Sequence, residues 1–164
     1  MLALLAVRFA GQPVTGAFAF LGVAGVALAQ TDSAAQRLPD VLTLPAYPGL
    51  LALLAMAAIA AGQWTALARA AESGLVTGAA FLVIGLVSGG QLGGGDVKLA
   101  GLTGLGLGWI GWPAAAEGEF LGFFLAAAAG LALLAGKKAS MRSTISFGPY
   151  LLSGALITAL ASAR

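Results

Sequence analysis

Cysteine and histidine are both absent from the 164 residues. Their absence excludes disulfides, thiol nucleophiles, Cys/His zinc sites, the HExxH metalloprotease site and any histidine-based triad. Charge is scarce as well. Asp, Glu, Lys and Arg make up 9% of the chain, whereas soluble domains carry about 25%. Any acid–base chemistry must therefore come from Asp, Glu, Lys, Tyr or water. The acids are Asp32, Asp40, Glu72, Asp96, Glu117 and Glu119. A net charge of +2 is too small to imply a nucleic-acid partner. The sequence pI near 9.4 reflects scarce charge rather than a basic patch.

Most of what remains is apolar: 60% hydrophobic residues and a mean hydropathy of +0.98. A surface of this kind suits lipid better than water. At about 20 apolar residues per span plus short loops, the length accommodates roughly six transmembrane helices. The expected class is all-α, a polytopic integral membrane protein forming a single membrane-embedded domain over residues 1–164. The spans are expected near Gly11–Gln30, Val41–Gln63, Gly74–Ser88, Val97–Trp112, Glu119–Ala135 and Phe147–Ala161. Thr31–Asp40, Trp64–Ser73, Pro113–Gly118 and Gly136–Ser146 read as loops, with a glycine-rich break before Val97. Pro45 and Pro48 fall in the first turns of the second span; proline is tolerated near a helix start, and Pro48 is a possible kink site. The triplet Ala27-Leu28-Ala29 also fits a signal-peptide cleavage site, a rival reading of the first segment.

Small residues crowd the later spans, with Gly101, Gly104, Gly106 and Gly108 in the fourth and Ala126 to Gly130 in the fifth. In lipid such residues let helix backbones approach closely, so they read as packing surfaces. Orientation follows from the cations in short loops. With six spans, Arg37, Lys98, Lys137, Lys138 and Arg142 share one side, and Arg8, Arg69 and Arg164 the other. This bias puts Asp32, Asp40 and Asp96 at the cytoplasmic face of the membrane, with both termini outside.

The break Ser88-Gly89-Gly90-Gln91-Leu92-Gly93-Gly94-Gly95-Asp96-Val97-Lys98-Leu99 is where chemistry is most readily sought. It lacks the GxxxxGK[ST] spacing of a phosphate-binding loop. Two carboxylates on one face suit aspartyl hydrolysis: one stays ionised and takes a proton from water, and the other stays protonated and polarises the scissile carbonyl. Asp96 reads as a helix N-cap beside Lys98. Both features favour its ionised form and make it the candidate base. A structural alternative stands beside each: Asp96 as a plain cap, Asp32 as a solvated loop residue, Asp40 as a cap on the second span.

Gly93-Gly94-Gly95-Asp96-Val97-Lys98-Leu99 resembles the GxGD…KL signature of the type IV prepilin peptidases, a membrane aspartyl protease family that includes archaeal preflagellin peptidases. Asp32, followed by Arg37-Leu38-Pro39-Asp40-Val41-Leu42-Thr43-Leu44-Pro45, resembles the family's first-aspartate segment. Ser146-Phe147-Gly148-Pro149-Tyr150 resembles its FGPF segment. The three motifs occur in the family's order, across about residues 28 to 155. The resemblance implies that Asp32 and Asp96 are the catalytic aspartates and that Asp40 is structural. It implies an endopeptidase that cuts the short basic leader from prepilin or pseudopilin precursors, typically after a glycine, at the cytoplasmic membrane face. The implied partners are that precursor, with its leader and hydrophobic helix, and the lipid bilayer; no cofactor or metal is implied.

Under this resemblance Gly93 and Gly95 let the chain leave the third span and bring Asp96 towards Asp32, because glycine permits backbone angles that other residues avoid. Lys98 holds an aspartate or a backbone carbonyl, or anchors the fourth span at the interface. Removing residues 1–29 would delete the first span, which counts against the signal-peptide reading. Large bacterial members begin with a cysteine-containing segment associated with N-methylation. This cysteine-free chain looks like the peptidase core, and methyl transfer is not expected of it. A presenilin-like or signal-peptide-peptidase-like protease shares GxGD, but no Tyr-Asp pair or Pro-Ala-Leu run is present. The non-enzyme alternative is a channel or transporter subunit with Asp32 and Asp96 along an ion path.

Overall fold

The computed structural model describes residues 2–35, 40–88, 92–136 and 146–162. Among these there is no strand, and seven helices follow one another: α1 Leu2–Arg8, α2 Thr15–Ala35, α3 Asp40–Ala61, α4 Trp64–Val87, α5 Gly94–Ile110, α6 Trp112–Ala135 and α7 Gly148–Ser162. The chain is all-α, as its composition implied. By length and apolarity α3, α4 and α6 (through Leu133) are able to cross a membrane, and α7 is a shorter apolar helix.

The helix α5 lies at the centre and packs against α2, α3, α4, α6 and α7. Every residue from Leu99 to Trp109 is buried, as a helix apolar all round must be. Its glycines make this possible. A Cβ on Gly108 would lie 2.5 Å from the Ser73 Cβ and 2.9 Å from the Ala70 Cα. The densest packing is between α4 and α5 and between α6 and α7, whereas α3 meets α4 and α5 sparsely.

Three segments depart from the expected boundaries. The first span continues past Gln30 to Ala35, so Asp32 stands in the last turns of a helix rather than in a loop. Residues 64–73 are helical, and the turn between α3 and α4 lies earlier, at Gly62 and Gln63. There Gly62 takes φ +68° and the Gln63 N–H reaches the Ala58 carbonyl at 3.0 Å. A left-handed glycine of this kind is a common helix terminator. Arg69 had suggested a loop, but it donates instead to the Gly108 carbonyl at 2.8 Å and to the Trp109 carbonyl, at the end of α5 where the helix dipole is negative. Residues 113–118 also belong to a helix. Pro113 fits the first turn of α6, where its missing N–H costs nothing, and Ala114, Ala115 and Gly118 are buried. Of the cations used for orientation, Arg37, Lys137, Lys138, Arg142 and Arg164 lie outside the described residues, as do Gly89, Gly90 and Gln91 of the break.

Candidate active site

Asp32 projects from the C-terminal end of α2 and is 5% exposed. Its Oδ2 accepts two hydrogen bonds, one from the Ser146 hydroxyl and one from the Gly148 N–H at 3.0 Å. Gly148 opens α7, so the carboxylate sits at the positive end of a helix dipole, a favourable place for an anion. Pro149 follows in the first turn, with φ already suited to a helix. A Cβ on Gly148 would lie 2.6 Å from Asp32 Oδ2 and 3.4 Å from the Leu99 Cδ2. Only glycine leaves room there for the carboxylate. The same measurement brings the end of α2, the start of α7 and the first turns of α5 to one place. Beneath it, Phe147 meets Phe123 with ring centres 4.9 Å apart and Phe81 at 6.1 Å, tying in α6 and α4.

Asp96 is in the first turn of α5, ahead of the stretch read as the fourth span. It is not the N-cap. Gly93 holds that position with extended backbone, and the Gly93 N–H donates to Asp96 Oδ2 at 3.2 Å. Asp96 thus reaches back to satisfy the amide at its own helix start, the role of an N3 acid. Burial, and then the negative charge of Asp32, push its carboxyl up to about 6, against the smaller opposing pull of the Gly93 N–H. Leu99, three residues on from Asp96, lies beside Gly148, whose N–H binds Asp32, so the two aspartates stand at the same end of the bundle. Among the described residues no three Asp or Glu side chains gather as a metal-ion ligand set.

Lys98 is not directed at either aspartate. Its ammonium pairs with Asp40 at the start of α3, an ion pair with side-chain exposures of 36% and 59%. Its backbone carbonyl accepts the Tyr47 hydroxyl at 2.6 Å. Two bonds from α3 therefore hold the first turn of α5, two residues beyond Asp96. Gly93 is exposed and caps the helix; Gly95 lies half-buried between it and Asp96.

Sequence reasoning assigned no role to Ser146, Gly148 or Tyr47. The Ser146–Tyr150 motif was visible, but nothing in the one-dimensional pattern says that it meets a carboxylate 114 residues earlier. Glu119 was taken as the start of a span. It is instead buried in α6, with Oε1 accepting the Thr103 hydroxyl at 2.7 Å and Oε2 without a partner.

Asp32, Asp40, Asp96 and Lys98 share one end of the bundle. Arg69 binds the far end of α5, and Arg8 donates to the Leu160 carbonyl near the far end of α7.

Comparison with known proteins gives two matches. The model of the type IV leader peptidase family matches residues 18–135. A protein of Dickeya chrysanthemi, "Prepilin leader peptidase/N-methyltransferase", is 36% identical over 149 residues, covering 89% of this chain and 50% of that protein. The chain thus spans about half the length of this curated relative. No solved structure matches it.

Proposed function

Since the chain belongs to the type IV leader peptidase family, we propose that it is a membrane aspartyl endopeptidase removing the leader from prepilin-like precursors. Asp32 and Asp96 are the catalytic pair, and the bond is cut at the cytoplasmic face. The observation that carries this reading is the convergence of α2, α5 and α7 at one end of the bundle, each bringing one of the three motifs. In this reading residues 1–164 form one membrane-embedded unit whose six spans lie within α2 to α7, α5 entering the bilayer only after Asp96. The spans alternate direction, so Asp32, Asp40, Asp96 and Lys98 share the cytoplasmic side and Arg8 and Arg69 the outer side.

The mechanism assigns different tasks to the two carboxyls. Asp32 Oδ2 already accepts from Ser146 and Gly148, leaving Oδ1 to receive a proton from the attacking water. Asp96 retains its proton to higher pH than an ordinary aspartic acid and donates a hydrogen bond to the scissile carbonyl. This reverses the assignment expected from an N-cap beside Lys98, because the cap is Gly93 and the lysine is paired with Asp40. As water adds, its proton passes to Asp32 and the developing oxyanion takes the proton of Asp96. Collapse expels the amine, which leaves with the proton held by Asp32, while one hydroxyl of the diol returns its proton to Asp96 and leaves the new carboxyl group. Asp40 and Lys98 hold the start of α5 from the side. Their exposed pair contributes about 0–1 kcal/mol.

The test is a processing assay on a prepilin-like precursor with the unsubstituted chain and three variants. Asp32→Asn and Asp96→Asn are each expected to abolish cleavage, and Asp40→Asn largely to spare it. Cleavage by both of the first two variants would show that the pair is not catalytic.

A further inference from the structure

A groove of ≈ 660 Å³ runs between α3 and the tightly packed α4–α5 pair. Leu51 of α3, Ala71, Gly78, Ala79 and Leu82 of α4, and Val97 of α5 are among its lining residues. Lys98 is its one charged lining residue, and that ammonium is turned to Asp40. The groove is open sideways, since Leu51, Leu75, Ala79 and Leu82 are all exposed. It exists because α3 meets the α4–α5 pair sparsely, held at its top by the Tyr47 and Asp40 bonds to Lys98.

We propose that this groove seats the membrane-embedded apolar helix of the precursor being cut, and so delivers the scissile bond to Asp96. The inference rests on the peptidase reading above and identifies where the rest of the substrate lies. Three features argue for a helix rather than some other occupant. The groove reaches the same end of the bundle as the site, because Val97 and Lys98 in its wall belong to the first turns of α5, as Asp96 does. It follows α4 from Ala71 to Leu82, about 16 Å or three helical turns at ~1.5 Å per residue. Its α4 wall includes small residues: Ala71, Gly78 and Ala79 let another backbone approach closely, the usual basis of helix association in lipid. A chain leaving the cleavage point into the bilayer must satisfy its own backbone, which in a single segment means a helix.

The absence of cysteine makes the test clean. Ala79→Phe fills the groove, and Val76→Phe places the same bulk on an exposed face of α4 outside it. Each is assayed in detergent on two substrates: a precursor with its apolar helix, and a peptide holding the leader and cleavage site but ending before the helix. Ala79→Phe is expected to raise KM for the full precursor about tenfold, with kcat within about twofold and the short peptide cut as before, a loss of uniform binding. Val76→Phe should change neither. In parallel, Leu82→Cys in an Asp96→Asn chain should form a disulfide with a cysteine in the precursor helix, whereas Val76→Cys should not. Equal KM values for the two Phe variants and no Leu82→Cys crosslink would mean that the groove holds only lipid, and would overturn the proposal. The crosslink needs no cleavage. If the unsubstituted chain cuts nothing, the peptidase reading falls while the crosslink still decides the groove.

Discussion

The two aspartates differ most in what surrounds each carboxyl. Asp32 is buried under two donors at the start of α7. Asp96 is half-buried and accepts the Gly93 N–H at the start of its own helix, and its carboxyl is pushed up to about 6 by burial and then by the Asp32 charge. A raised value means that the proton is held to higher pH. The protonated form needed for an acid is complete well below pH 6 and is lost as pH rises through it. If Asp96 is the acid, kcat/KM should therefore fall above about pH 6 with a slope approaching tenfold per unit. A rise through the same region would assign Asp96 as the base. The limb belongs to the coupled pair, so the measurement is a full profile of kcat/KM against pH on the precursor. The sign of the slope makes the assignment.

At the scale of elements, the site depends on how closely helices without bulky side chains approach one another. The start of α7 carries the Gly148 amide to Asp32, so the α6–α7 contact controls where that amide sits. A Cβ on Gly154 would lie 2.5 Å from the Gly118 carbonyl oxygen and 2.8 Å from the Gly122 Cα. Backbone cannot swing aside as a side chain can. Gly154→Ala should cost about 1–3 kcal/mol, in the range of overpacked cores. On Gly16 of α2 the added Cβ meets nothing nearer than 3.9 Å, and Gly16→Ala should be neutral or slightly stabilising. Thermal unfolding of the two variants in one detergent makes the comparison. A Gly154→Ala protein as stable as its parent would show that α6 and α7 have room to separate. The Thr103–Glu119 bond joins α5 to α6 in the same way, with a polar contact in place of a small-residue one.

For the molecule as a whole, the arrangement has two chemically distinct ends. One collects Asp32, Asp40, Asp96 and Lys98; at the other, Arg69 and Arg8 bind carbonyls in the last turns of α5 and α7. The proposed topology puts the first end in the cytoplasm and the Gly62–Gln63 turn outside. With no native cysteine to compete, Gln63→Cys should react with a membrane-impermeant maleimide added to spheroplasts. Gly94→Cys, where a side chain meets nothing within 4 Å, should react only after lysis. The opposite pattern would invert the proposed topology and remove the site from the cytoplasmic face.

The sequence by itself determined the all-α class and narrowed the candidate reactive groups. Nine per cent charge with no cysteine or histidine admits an all-α membrane chain, and three motifs in order pointed to Asp32 and Asp96. It was less informative about boundaries. Arg69 reads as a loop marker and Glu119 as the edge of a span in a hydropathy trace, but a charge can be tolerated inside the bundle when a helix end or a hydroxyl meets it. The trace registers polarity and not partners. Only the tertiary structure decided which groups face which. It turned Lys98 to Asp40, made Gly93 the cap in place of Asp96, and brought Ser146 and Gly148 to Asp32. It also opened the groove between α3 and the α4–α5 pair. These are contacts between helices far apart in the chain, set by how closely glycine and alanine faces pack, and a pattern along one strand of sequence does not encode that distance.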